Sequence, residues 1–401
     1  MTTAPPAGAD SVWDRLVGQQ KVVAALRGAA AGQGMSHAFL FTGPPGSGRS
    51  NAAVAFAAAL QCEQDPPGCG RCHACHTVLA GSHADVSVVR TERLSIGVKE
   101  VRELVRRSAL APVGRRWQVM IVEDADRLTE QACNALLKAI EEPAERTIWI
   151  LCAPTIEDVL PTIRSRCRLV ALTTPTAADV AAFLVRTDGV DPAAALYAAR
   201  ASQGHIGRAR ALARDPVTRD RRREVVAIPA RLTSLRACMD AATRLTEVTK
   251  EEADAITTEL DAREKADLDA VFGVVERGRR PREYAPALRD LEKDQKTRAK
   301  RRHLDVIDRG LMDLVSVYRD AIAVAVGAPG ELVNEDIRGD VELLARVSSQ
   351  ETNLRRISAV FEAREHLLEF NVPPALALES MMLALVATEA KPGPGPGALA
   401  G

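Results

Sequence analysis

The chain has 401 residues, 46% of them hydrophobic and 26% charged. That is too long for one ordinary core and apolar enough for packed interiors, so two or three domains are expected and global disorder is excluded. The 53 basic and 53 acidic residues cancel, so no overall field draws the chain to nucleic acid or to anionic membrane, and any such binding must be local.

Aromatic residues supply only 3%, which leaves alanine, leucine and valine to fill the cores and favours helix. No stretch reaches the roughly 20 uninterrupted apolar residues of a membrane span, and the start, MTTAPPAGAD, lacks the basic-then-apolar pattern of a signal peptide. A cytoplasmic protein is expected.

In chain order, Val12 to Gly32 reads as helix and Ala38 to Thr42 as a short buried strand. Gly43 to Gly48 follows at once, and the alanine-rich run Asn51 to Leu60 is helical, so strand, glycine loop and helix form one α/β unit. After a cysteine-rich segment come a strand at Val86 to Val89, a helix at Val98 to Ala109, a buried strand at Trp117 to Val122, a helix at Thr129 to Ile140 and a strand at Thr147 to Cys152. Arg168 to Leu172 can supply the last strand. This alternation predicts a parallel sheet with helices on both faces.

Thr176-Ala177-Ala178-Asp179 opens a set of short helices that run to about Ala213 around the Gly204-His205-Ile206-Gly207 turn. From about Asp215 to Ala390 strand signals nearly vanish. The alternating prolines and glycines from Lys391 to Gly397 support neither helix nor ladder. The expected organisation is an α/β domain over 1–172, a small helical domain over 173–213, an all-helical domain over 214–390 and a disordered tail over 391–401.

Gly43-Pro44-Pro45-Gly46-Ser47-Gly48-Arg49-Ser50 fits the phosphate-loop pattern G-x-x-x-x-G-K-[ST] except that Arg49 stands where lysine is expected. The glycines let backbone N–H groups turn onto phosphate oxygens, the following helix adds its dipole, and Ser50 would ligate magnesium. Arg49 keeps the charge, but its planar fork does not replace a compact ammonium between phosphates without rearrangement. Such enzymes also need a carboxylate pair at the end of a buried strand, one for the metal shell and one to activate water. Here the order is Glu123 then Asp124, the reverse of Asp then Glu. At such a site a misplacement of about 1 Å costs on the order of a hundredfold, so both motifs point away from efficient catalysis.

Cys62, Cys69, Cys72 and Cys75 are spaced C-x6-C-x2-C-x2-C, with Gly68 and Gly70 supplying turn freedom. In a reducing compartment this reads as a structural zinc site with four thiolates, although His73 or His76 could substitute and four free thiols are the plain alternative. Cys133, Cys152 and Cys238 read as packing residues. The basic run Lys296 to Arg302 follows Glu292 and Asp294 in a helical pattern and reads as a solvated helix face before a DNA contact.

Together, Ser36-His37-Ala38-Phe39-Leu40-Phe41-Thr42-Gly43, the cysteine cluster, Asn134-Ala135-Leu136-Leu137-Lys138-Ala139-Ile140-Glu141-Glu142-Pro143 and Ile163-Arg164-Ser165-Arg166-Cys167 resemble the bacterial clamp-loader subunits, AAA+ proteins of the DNA polymerase III holoenzyme. The resemblance is strong over the first half and loose beyond, where Asn371 to Glu379 looks like the family's closing helix. It implies an AAA+ module, a helical lid and a helical collar for oligomerisation. It also implies the partners tau/gamma and delta, the sliding clamp and primer-template DNA.

In this family the tau/gamma motor keeps the phosphate-loop lysine and the Asp-Glu pair, whereas the delta-prime type lacks a working ATPase site. The departures at Arg49, Glu123 and Asp124, and Ala153-Pro154 near the motor's polar sensor, resemble the latter. Arg208 lies near a second sensor position, which Gly207 strictly occupies. The resemblance implies that Arg166 is an arginine finger acting in trans on a neighbour's ATP, with little or no intrinsic ATPase and with ATP and magnesium doubtful as ligands. The rival readings are the motor subunit itself and an unrelated P-loop ATPase with a zinc-dependent nucleic-acid module.

Overall fold

The computed structural model describes residues 11–91, 95–114, 116–272 and 281–387. The chain divides into two compact units, Met1–Arg214 and Asp215–Gly401.

The first unit opens with a 3-10 turn at Val12–Arg15 and helix α1 at Gln20–Ala30. The single helix expected over Val12 to Gly32 is therefore two pieces. Gly18 between them takes φ +69°, and a Cβ there would lie 3.1 Å from Asp179 Oδ2 and 3.3 Å from Pro175, so the chain has to turn at a residue without a side chain.

Strand β1 (Ala38–Thr42) leads through the glycine loop into α2 (Arg49–Gln61), followed by α3 (His73–Leu79), β2 (Val86–Val89) and α4 (Val98–Ser108). Then come β3 (Gln118–Val122), α5 (Glu130–Glu141), β4 (Thr147–Ala153), α6 (Pro161–Arg164) and β5 (Arg168–Ala171). The five strands form one parallel sheet in the order β2-β3-β4-β1-β5.

The central strands β3, β4 and β1 are buried along their whole length and alternate between two cores. Phe39, Phe41, Ile121 and Ile150 face α1 and α2, whereas Leu40, Met120, Trp149 and Leu151 face α4 and α5. The carboxyl ends of β1 and β3, where an open α/β sheet binds ligands, carry the glycine loop and Glu123.

Helix α2 is buried around nearly its whole circumference, with Ala52, Ala53, Ala55, Ala57, Ala58 and Ala59 each at most 1% exposed. Phe56 fits its ring edge-on to Phe39 at 5.0 Å between centroids. Larger residues on this helix would push it off the sheet, which explains the run of alanines.

Three further helices, α7 (Ala177–Asp188), α8 (Pro192–Ser202) and α9 (Ile206–Arg214), complete this unit around Val180, Phe183, Leu184, Ala198 and Leu212. Thr176 Oγ1 caps α7 by accepting from Asp179 N–H at 3.1 Å, and Asp191 caps α8.

The second unit is helical: α10 (Pro216–Val226), α11 (Ile228–Arg231), α12 (Leu235–Val271), α13 (Tyr284–Ala325), α14 (Arg338–Val347), α15 (Gln350–Leu368) and α16 (Pro374–Ala387). Leu245, Leu311, Leu314, Tyr318, Val360 and Met382 form its core. The basic run 296–302 lies on α13, and its central Arg298 is 7% exposed, bonded to Asp261 and Glu264 of α12. At that position the expected solvated face is instead an internal ion pair, because α12 supplies carboxylates where water would otherwise be. The proline-glycine tail lies outside the described residues. Among the described residues no helix is long and apolar enough to cross a membrane.

The packing of α2 gives a direct test. Ala57→Leu adds volume where no void exists and is expected to lower stability by about 1–3 kcal/mol, read as an earlier denaturant midpoint at unchanged slope. An unchanged midpoint would mean that α2 is not held as tightly as described.

Candidate functional site

The glycine loop is packed from several sides. A Cβ at Gly43 would lie 2.6 Å from the Leu172 carbonyl and 2.6 Å from Ser47 Oγ, and one at Gly46, φ +89°, would lie 3.0 Å from the His205 backbone. Gly48 takes φ +87° and precedes the first turn of α2, where Ser50 is half-buried. The first N–H groups of α2 have no intrahelical acceptor, which leaves the donor set that an anion requires.

Arg49 closes the loop on itself: its Nη1 donates to the Gly43 carbonyl. Burial lowers its pKa, opposed by the fields of Cys152, Asp126, Asp124 and Asp158. The guanidinium thus already holds an acceptor belonging to its own chain at the position from which a lysine would reach a phosphate.

The first member of the acidic pair is also committed elsewhere. Glu123, at the end of β3, is 8% exposed and bonds Arg90 through both oxygens, Nε to Oε2 at 2.7 Å and Nη2 to Oε1 at 3.1 Å. Such forked pairing fixes the carboxylate in place. The carboxylates whose fields act most on Arg49 are Asp126, Asp124 and Asp158. Asp126, its side chain one-quarter exposed, has its pKa raised by that shielding and by Asp124, with Arg127 and Arg49 opposing. Ala153 ends β4, and the carbonyl of Pro154 accepts from Gly43 N–H at 3.1 Å. Arg90 gave no signal in the sequence, because a single arginine after a short strand has no spacing that marks it.

Gln19, 4% exposed, was also not anticipated. Its Nε2 donates to the Thr173 carbonyl at 2.5 Å and the Ser47 carbonyl at 3.3 Å, and its Oε1 accepts from Thr173 N–H at 3.3 Å. One amide therefore ties the segment before α1 to the glycine loop and to the residues leading into α7. Beside the first turn of α2 is a cavity of about 290 Å³ lined by Asp14, Arg15, Asn51, Phe183, Ile206 and Arg210, among others. Arg208 sits on α9, its backbone N–H donating to His205 Nδ1 at 3.2 Å, and Gly207 is exposed.

Arg166 lies apart from this loop, just beyond α6, with its side chain 39% exposed. Its guanidinium donates to the Thr162 carbonyl at 2.8 Å and Ser165 Oγ at 3.0 Å, and pairs with Glu141 at the end of α5 at 2.8 Å. The buried Ile163 anchors this turn under α5.

The four thiols of Cys62, Cys69, Cys72 and Cys75 converge, with all Sγ atoms within 4.8 Å of one another. His73 and His76 are not part of the group. Backbone N–H groups point at the sulfurs: Cys69 to Cys62 at 3.4 Å, Cys72 to Cys69 at 3.3 Å and Cys75 to Cys72 at 3.4 Å. At Cys62 burial pushes the thiol up, but the N–H groups of Cys69, Gln64 and Gly68 outweigh it and bring it down to about 7. Four converging sulfurs, three of them with N–H groups aimed at them, fit a tetrahedral ion such as zinc. Cys133, Cys152 and Cys238 are buried.

A parallel sheet with a glycine loop at the end of β1 and a helical set behind it is the arrangement of a P-loop α/β module. Residues 18–176 match the family described as "DNA polymerase III, delta subunit". The chain is 41% identical over 154 residues to DNA polymerase III subunit gamma/tau of Mycobacterium tuberculosis, covering 38% of this chain and 27% of that one. It is 38% identical over 166 residues to subunit delta' of Pseudomonas aeruginosa (40% and 50% covered) and 37% identical over 199 residues to subunit delta' of Escherichia coli (48% and 58% covered). Over its N-terminal half the chain is similar to the gamma/tau and delta' subunits of bacterial DNA polymerase III. The matched stretch spans at most about half to three-fifths of the length of these relatives.

The cysteine geometry predicts close to one zinc per chain in protein prepared without added metal, by elemental analysis. Cys72→Ser should lower both that content and the melting temperature, whereas a metal-free wild type of full stability would contradict the fit.

Proposed function

We propose that this chain is a delta-prime-type subunit of the sliding-clamp loader. In this reading it has lost its own nucleotide chemistry and supplies Arg166 in trans to a neighbouring motor subunit. The observation that carries the reading is the contrast in exposure between two sites. Arg49 is held inside the loop on the Gly43 carbonyl and the buried Glu123 on Arg90, while Arg166, paired with the half-exposed Glu141, stands at the surface at the end of a short anchored turn.

A guanidinium brought against a neighbour's γ-phosphate stabilises charge that spreads over the equatorial oxygens in the transition state, and its fork is not reproduced by lysine. In this proposal the partners are tau/gamma and delta, with the sliding clamp and primer-template DNA met through the assembled complex. The helical second unit acts as the oligomerisation collar, and residues 173–213 act as the lid. Zinc at Cys62, Cys69, Cys72 and Cys75 is structural. Gly43, Gly46, Gly48, Arg49 and Ser50 remain as a degenerate phosphate loop, with Glu123 and Asp124 as the degenerate acidic pair.

The second reading, a hydrolysing motor of the gamma/tau kind, is favoured by the 41% identity to the mycobacterial gamma/tau subunit. Turnover separates the two. The isolated chain is expected to hydrolyse ATP far more slowly than the roughly 1–100 s⁻¹ of competent phosphotransferases, and turnover in that range would establish the motor reading. Nucleotide binding without turnover fits the proposal.

Arg166→Ala tests the role in trans. It should leave folding, zinc content and assembly with the other subunits unchanged while lowering the clamp- and DNA-stimulated ATPase of the complex. An arginine finger is worth about three to five orders of magnitude at the site it serves, so the loss should equal that site's share of the total. Wild-type hydrolysis and clamp loading in a normally assembled mutant complex would make Arg166 a surface residue.

A further inference from the structure

We propose that Trp13 and Gln19 are positioning residues that couple the four-cysteine knuckle to the glycine loop, so that the loop keeps its closed geometry only while the cysteines hold their metal. This does not rest on the role given to Arg166.

The first link lies at the knuckle's turn. Gly68 takes φ +99°, and a Cβ there would lie 2.3 Å from Trp13 Nε1 and 3.0 Å from Val12 Cγ2. The Gly68 carbonyl accepts from Val12 N–H at 3.1 Å, and the Pro67 carbonyl accepts from the Trp13 indole N–H at 3.1 Å. Trp13 is 4% exposed, with the Arg27 guanidinium 5.7 Å from its ring. The 3-10 turn at Val12–Arg15 is therefore seated on the cysteine loop, whose own shape depends on where its four sulfurs are held.

The second link is Gln19, six residues beyond Trp13. Leu16 packs in the core that also holds Cys62 and Cys75, and Val17 packs among the helices after Thr176, so the intervening segment is pinned on both sides. Gln19 then bonds Ser47 in the glycine loop and Thr173 before α7. A polar side chain buried to this degree is costly to leave unpaired, so its partners and the segment carrying it move together. Coupling of this kind needs a contiguous set of contacts, and the path from Gly68 through Trp13 and Gln19 to Ser47 supplies one.

A short loop of this kind has no core of its own, so without metal nothing ties its four sulfurs together and its turn is free to open. Loss of metal would then release the Val12–Arg15 turn and, through Gln19, the glycine loop.

The test is hydrogen exchange on the full chain, loaded with zinc, stripped by a chelator and reloaded. Stripping should speed amide exchange about tenfold or more at residues 13–19, 43–50 and 173–176, the scale set by losing one or two buried hydrogen bonds, while β3, β4 and residues 281–387 stay protected. Gly68→Ala, which keeps all four cysteines, should speed exchange at 13–19 and 43–50 with zinc still bound, and this decides the matter if stripping unfolds the chain. In Gln19→Ala, stripping should loosen 13–18 without further change at 43–50. Changes confined to residues 62–79, unaltered exchange in zinc-bound Gly68→Ala, transmission that survives Gln19→Ala, or a chain that holds no zinc would each overturn the proposal.

Discussion

The closeness of approach around the glycine loop is the constraint on which the first unit depends. Gly43 admits no side chain because the Leu172 carbonyl and Ser47 stand 2.6 Å from where a Cβ would be, and Gly46 none without pressing the His205 backbone. Strand β4 reaches the loop through Pro154, the helices after Thr176 through His205, and the segment before α1 through Gln19. In an active nucleotide site such convergence orders phosphate-binding N–H groups. Here the same backbone is ordered around a guanidinium, because Arg49 is long enough to cross the loop and bond its first carbonyl.

That substitution and the pairing of Glu123 with Arg90 have one physical sense. Arg49 and Glu123, two of the charged groups that would serve nucleotide chemistry, each have an intramolecular partner that satisfies them without ligand. A nucleotide would have to displace those partners before gaining its own contacts, so the differential interaction that drives both binding and catalysis is reduced. The first unit remains a rigid α/β body, and rigidity is what a subunit needs if its contribution is one arginine held at a surface. In the proposed role Arg166 would be presented from a position held by three bonds, to Thr162, Ser165 and Glu141, which restrain a side chain that would otherwise carry about 2 kcal/mol of rotamer entropy.

Much of the sheet is legible in the sequence because its central strands are fully buried and read as continuous runs, Ala38–Thr42 and Thr147–Ala153 among them, next to an alanine helix buried around nearly its whole circumference. The cysteine group was legible for the same kind of reason: spacing alone brings Cys69, Cys72 and Cys75 onto one turn, and the glycines allow the fold back to Cys62. Gln19, Arg90 and the pairing of Arg298 were not. Each depends on partners between 28 and 154 residues away, and no periodicity marks a polar residue whose importance lies in what it meets across the fold. The break at Gly18 is not legible because helical spacing continues through it, while the positive φ and the closeness of Pro175 and Asp179, which leave no room for a side chain, show only in the fold.

The central claim is that this chain acts as a partner and not as an independent ATPase. The most direct measurement is native mass spectrometry of the purified chain mixed with the gamma/tau and delta subunits of its own clamp loader, with and without nucleotide. The account predicts one discrete hetero-oligomer that contains this chain and forms without any hydrolysis by it. A chain that stays alone under those conditions, or that assembles only by hydrolysing its own ATP, would contradict it.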